Sequence, residues 1–227
     1  MNFFGHSVIA QELNSGPAFL FGTMLPDFVS MSGARFQAVE DDAPSRSQLL
    51  AGIEVHHATD AVFHSTPHFL RYCSALTVAL EKSGVRRGTA MAVGHIGAEL
   101  LLDRWLLHFV DSTPYMDAVT YGKDNAGFVR ISNDAGPRLA GLMKRLEEYK
   151  LSGYQSIEVI RTRLERALCE RPRLSVEPSA VGAIEECLSS FDEPIRQDAG
   201  EWRESIHTAL REHPRYVAAA EQLNDRS

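Results

Sequence analysis

At 227 residues and 25.2 kDa, with 44% hydrophobic and 23% charged residues, the chain can bury a sizeable core without metals or disulfides to staple it. Collagen, low-complexity disorder and small disulfide scaffolds are excluded. The net charge of −7, from 23 Lys and Arg against 30 Asp and Glu, argues against a general nucleic-acid binder, whose affinity rests on neutralising phosphates.

Helical periodicity dominates the chain from its start. Phe3, Phe4, Val8, Ile9 and Leu13 predict a helix over 3–13, stopped by Asn14-Ser15-Gly16-Pro17. A short helix over 17–24 is expected to end at Pro26-Asp27, and 32–45 reads as a loop. Ser45 or Ser47 would cap a helix from Gln48 to His64, and Pro67 opens another reaching Gly84. The longest apolar segment runs from Gly88 to Val110 and closes at Ser112-Thr113-Pro114. Beyond a Gly- and Asn-containing stretch at 122–136, amphipathic helices are expected near 137–150, 155–170, 178–191 and 194–212. No strictly alternating run points to strands. The reading is one all-α domain over 1–227, a single-domain helical bundle with a metal-site half (1–112) and a helical C-terminal half (113–227). The helices 48–64 and 88–110 should pack against each other in its core.

Cys73, Cys169 and Cys187 are odd in number and far apart, which suits a reducing compartment and offers no cysteine-rich zinc site. The first residues lack a basic segment, and no apolar run reaches 18 residues. A cytoplasmic protein without a membrane span is expected.

Seven of the nine histidines lie within the first 108 residues: His6, His56, His57, His64, His68, His95 and His108. His56, Asp60 and His64 fall at i, i+4 and i+8, on one face of one helix. His95, Glu99 and Asp103 repeat that spacing within the most apolar segment. Burying an imidazole and carboxylates there is costly unless they are paired or bind a metal. Two such helices could supply ligands from both sides. The competing reading is a buried ion-pair network involving Arg104 or Arg71. Asp27 is likewise set among apolar neighbours just after Pro26, where helix capping is the plainer role. The combined His and carboxylate set favours Zn²⁺, Mn²⁺ or Fe over Ca²⁺.

Four blocks resemble the acyl carrier protein phosphodiesterase (acyl carrier protein hydrolase) family. They are Met1 to His6; Gly22, Leu25, Asp27, Phe28 and Val29; Gly52, Ile53, His56 and Asp60, followed by Pro67; and Arg171-Pro172-Arg173-Leu174. The resemblance implies an all-α fold distantly like the HD-type metal-dependent phosphohydrolases. It also implies a Mn²⁺-dependent release of 4′-phosphopantetheine from acyl carrier protein, with His6, Asp27, His56 and Asp60 in the metal site or in catalysis. Where the family carries an Asp-His doublet, this chain has Ala98-Glu99, with His95 and Asp103 a turn away on either side. A shifted but preserved site and an inactive one both remain open. A weaker similarity, in the HxxxD and HxxxE pairs and Leu25-Pro26-Asp27, is to helical zinc-dependent phospholipase C enzymes.

The expected function is therefore a metal-dependent phosphodiester hydrolase. Its metal ligands would come from His6, Asp27, His56, Asp60, His95, Glu99 and Asp103, with Mn²⁺ first and Fe or Zn²⁺ as alternatives. Asp60 would act in catalysis, and His57 or His64 as acid or base. Arg35, Arg71, Arg86 or Arg87 could clamp phosphate, while Arg171 and Arg173 receive no role. The substrate would be a phosphodiester, with acyl carrier protein as the partner the resemblance implies. The competing class is a non-catalytic helical protein that binds a ligand or partner.

Overall fold

The computed structural model describes residues 1–149, 151, 154 and 156–224. Ten α-helices are found among them: α1 (Phe3–Ala10), α2 (Pro17–Met31), α3 (Arg46–Ser65), α4 (Pro67–Lys82), α5 (Arg87–Leu106), α6 (Thr113–Asn125), α7 (Gly136–Tyr149), α8 (Ile157–Leu168), α9 (Val181–Leu210) and α10 (Pro214–Asn224). The all-α reading holds. No helix among the described residues is long and apolar enough to cross a membrane. The expected helix limits at 150 and 155 fall outside the described residues.

α1 is the central helix. Phe3, Phe4, Val8 and Ile9 leave it no polar face, and all its residues are buried against α2, α3 and α5. His6 is thereby carried into the core on a helix that touches all three neighbours contributing to the site.

α2 packs chiefly on α3, and the crossing is a glycine contact. A Cβ on Gly52 would stand 2.3 Å from the Phe19 carbonyl oxygen, and one on Gly22 would stand 2.4 Å from that of Leu49. Neither glycine can carry a side chain without separating the helices. Gly22 lies five residues before Asp27 and Gly52 four before His56, so this close approach sets the distance between those two side chains.

α5 packs chiefly on α4 rather than on α3. The expected core packing of the two His-rich helices is thus corrected. They meet through side chains, the rings of His64 and His95 stacking with centroids 5.1 Å apart. The Thr66 hydroxyl, between α3 and α4, accepts from the Phe69 amide and from Trp202 Nε1 of α9 (3.0 Å), tying three helices beside His64.

Other expectations also change. β1 (Phe36–Val39) pairs antiparallel with β2 (Val129–Ile131), with an irregularity between Phe36 and Ala38, inside the stretch expected to be a loop. Pro26 lies within α2, which was expected to end there, and the helices expected near 178–191 and 194–212 are one helix, α9, with Pro194 inside it. Burial of apolar residues on both sides of each proline outweighs the lost hydrogen bond, a cost of about 3 kcal/mol.

Candidate metal centre

Four helices bring their polar residues together, with His6, His56 and Glu99 buried and Asp60, His64 and His95 partly exposed. α1 gives His6, α2 gives Asp27, α3 gives His56, Asp60 and His64, and α5 gives His95 and Glu99. Two groups have donor atoms all within 4.8 Å of one another: His6, Asp27 and His56, and separately His64, His95 and Glu99.

The histidines are oriented by their neighbours. His56 Nδ1 lies 2.9 Å from the Thr23 carbonyl, and His64 Nδ1 lies 2.9 Å from the Asp60 carbonyl. A carbonyl only accepts, so each Nδ1 carries the hydrogen, and His56, kept neutral by its burial, retains the lone pair on Nε2. His64 Nε2 then faces Glu99 Oε1 at 3.4 Å, and His95 Nε2 reaches the same oxygen at 3.2 Å. The rings of His6 and His56 stack at 4.0 Å, and His6 Nε2 stands 3.2 Å from Asp60 Oδ1 and 4.0 Å from Asp27 Oδ2.

A cation already stands between Asp60 and Glu99. The Met1 α-ammonium donates to Asp60 Oδ1 at 2.8 Å and lies 3.2 Å from Glu99 Oε1. Burial would lower its affinity for the proton, but Glu99 and Asp60 outweigh that and raise it. The carboxylates respond in turn. Burial pushes both upward, yet the His6 contact and the ammonium hold Asp60 well below the usual range, and the ammonium with His64 and His95 does the same for Glu99. Arg104 and Arg71, expected in an alternative ion-pair network, instead pair with Asp192 (at 3.3 Å) and Asp198.

Asp27 behaves differently. It sits inside α2 rather than at a cap, and burial pushes its carboxyl up to about 8 despite the nearby ammonium. Burial, followed by the neighbouring His6, pushes His56 down to about 2, and burial also lowers His6. Both ring nitrogens of His6 and Oδ2 of Asp27 are buried without a hydrogen-bond partner among the described residues. Such groups cost roughly 1–3 kcal/mol each when left unmade. Neutral imidazoles beside a carboxyl are the donor set a divalent ion takes, so these residues fit one.

Asp60, Asp103 and His57, the first two expected as metal ligands, do not join either group. Asp103 is fully buried, but its Oδ2 accepts from Asn2 Nδ2 (2.6 Å) and from the Tyr154 hydroxyl (2.9 Å). The i+4 spacing from Glu99 carries it one turn further along α5, into that separate network. His57 follows His56 directly, so its ring is turned to the exposed side of α3, edge-on to His56. His64, expected as an acid or base, stands among the potential ligands instead. Arg35 is exposed, and Arg71, Arg86 and Arg87 pair with Asp198, Glu177 and Glu81.

A cleft of about 660 Å³ opens beside the centre, with Met1, Asp27, His95 and Glu99 in its lining. Its opposite wall comes from α8 and the residues after it, including Arg163, Arg171 and Leu174. Three participants escaped the sequence reading. The Met1 amine has no side-chain signal, Asn2 looks ordinary, and Arg163 sits in an amphipathic helix remote in sequence. No family model, curated protein or solved structure matches the chain.

Proposed function

We propose that the protein is a divalent-metal-dependent hydrolase of phosphate esters, acting on phosphodiesters at the centre between α1, α2, α3 and α5. The observation that carries this reading is the pair of His and carboxylate groups, with buried unsatisfied His6 and Asp27 atoms, opening on a ligand-sized cleft.

His6, Asp27 and His56 would hold one ion, and His64, His95 and Glu99 are placed to hold another. An ion bound there supplies Lewis acidity toward the phosphoryl oxygens and toward water. The residues do the rest. Thr23 and the Asp60 carbonyl hold Nδ1 of His56 and His64, so each would offer an ion its Nε2. The Met1 ammonium anchors Asp60 through Oδ1, leaving Oδ2 to accept a hydrogen bond from the attacking water and aim it. The water oxygen bonds to phosphorus, the bond to the leaving oxygen breaks, and the proton lost by water ends on the departing alcoholate.

Four imidazoles against two carboxylates favour Zn²⁺ alongside Mn²⁺ and Fe, and the His95–Glu99 pair in the second group is what favours the phospholipase C-like reading. Release of 4′-phosphopantetheine from acyl carrier protein is the narrower proposal and rests on the four sequence blocks alone. The test is hydrolysis of bis-p-nitrophenyl phosphate by protein loaded with Zn²⁺ or Mn²⁺. Metal-dependent turnover that Asp60→Ala abolishes, with the fold kept, supports the proposal. Absence of turnover over several diesters and metals, with no metal-dependent rise in melting temperature, turns it toward a binding protein.

A further inference from the structure

A second cavity, of about 460 Å³, lies between the end of α2 and α7, beside the cleft at the metal centre. The sequence of α7 sets it up. Arg138, Gly141, Leu142 and Arg145 recur at the i, i+3, i+4, i+7 spacing that shares one helix face. Leu142 is buried, and the two arginines flank it at the surface. All four residues line the cavity.

The two guanidinium groups are placed differently. Arg138 Nε donates to the Ser32 carbonyl (2.8 Å), where α2 ends, and so caps that helix. The bond fixes the group and leaves its Nη nitrogens unpaired among the described residues. Arg145 folds back along α7, with Nη1 3.5 Å from where a Cβ on Gly141 would stand. The glycine thus keeps open the floor between the arginines. Arg145 makes no ion pair among the described residues, whereas Lys123 and Lys144 nearby are paired with Glu147 and Glu148. The arginine of the cleft wall is also engaged. Arg163 lies over the rings of Tyr154 (4.4 Å to the centroid) and Phe3 (5.5 Å), in the Asp103 network.

Capping of α2 accounts for one nitrogen of Arg138. It accounts neither for Arg145 nor for the glycine between them. No carboxylate among the described residues lines this cavity, although the chain carries a net charge of −7. Two like charges drawn toward one glycine repel each other, and an anion bound between them relieves that repulsion.

We propose that this cavity binds a phosphate group, held between Arg138 and Arg145 over Gly141 and outside the metal centre. A tetrahedral phosphate offers oxygens to each planar guanidinium fork. The site stands apart from the hydrolase reading, because none of its residues belongs to the His and carboxylate groups. Met31, exposed at the end of α2, lines both this cavity and the cleft. A phosphate group can therefore arrive as the free ion or on an organic monoester whose other part lies against Met31.

The test is calorimetric titration of the full chain at low ionic strength with inorganic phosphate and with phenyl phosphate. Wild type should bind at least one of them with a dissociation constant of about 1 mM or below. Arg145→Gln should weaken that binding about ten-fold, and Arg145→Lys should weaken it less, since an ammonium keeps the charge but loses the fork. Gly141→Leu keeps both cations and suits a helix better than glycine, so the protein should stay folded while the filled floor abolishes binding. Arg196→Gln removes the same charge from α9, where it pairs with Glu193, and should change nothing. A phenyl phosphate advantage that Met31→Ser removes identifies a monoester as the source, and equal or tighter binding of inorganic phosphate identifies the free ion; both uphold the site. No binding by wild type, binding unchanged by Arg145→Gln and Gly141→Leu, or an equal loss with Arg196→Gln overturns the proposal. So does binding that a chelator abolishes and the arginine variants leave intact, which would belong to the metal centre.

Discussion

The Met1 α-ammonium stands 2.8 Å from Asp60 Oδ1, a main-chain terminus paired with a side chain from the middle of another helix. The amine has no exposed surface, and Glu99 flanks it on the other side at 3.2 Å. Adding a residue ahead of Met1, or acetylating it, removes the cation and leaves two carboxylates facing each other. Breaking a buried pair costs roughly 3–5 kcal/mol, and the partial exposure of Asp60 reduces this to about 2. Urea denaturation of the protein with a cleavable leader, before and after cleavage to Met1, should show that difference. Equal midpoints would contradict the described role of the amine.

The glycine crossing between α2 and α3 gives a second prediction. Gly52→Ala forces a methyl group into the Phe19 carbonyl, and overpacking of this kind costs about 1–3 kcal/mol. Because the crossing sets Asp27 against His56, metal affinity should fall together with stability. An alanine at exposed Gly127, where an added Cβ meets nothing within 4 Å, should change neither. Metal titration followed by thermal melting measures both effects on the same samples.

Asp103 supplies a pH signature. Burial pushes its carboxyl up to about 7, although Asn2 and Tyr154 donate to it, whereas in the unfolded chain it titrates near 3.8. The folded state therefore holds this proton between those values while the unfolded state releases it. Stability from this group is full below about pH 4 and is lost as the pH rises through about 7. Asp103→Asn cannot ionise, so relative to wild type it should gain stability progressively from pH 4 to pH 8. Denaturant unfolding of both proteins across that range tests this, and parallel pH curves would refute the assignment.

Much of this arrangement was legible from residue spacing. The i, i+4, i+8 pattern of His56, Asp60 and His64 placed them on one face, and α1 announced itself by its apolar run. Spacing overreached at Asp103, because a third turn along α5 leaves the centre and enters the Asn2–Tyr154 network. β1 and β2 have four and three residues and pair across some 90 residues of sequence, too short and too remote for periodicity to reveal. Pro26 read as a helix end, and Pro194 as a break between two helices, because local preference says nothing of the burial on either side. The Met1 amine and Arg163 have roles set only by what the fold brings beside them.

The central claim is that His6, Asp27 and His56 hold a divalent ion. Elemental analysis of purified protein, incubated with Zn²⁺ or Mn²⁺ and then desalted, addresses it directly, with His6→Ala and Asp27→Ala treated in parallel. The account predicts at least one retained ion per wild-type chain and a clear loss of retained metal in both variants while each remains folded. Wild type that retains none after reloading, or variants that retain as much as wild type, would contradict it.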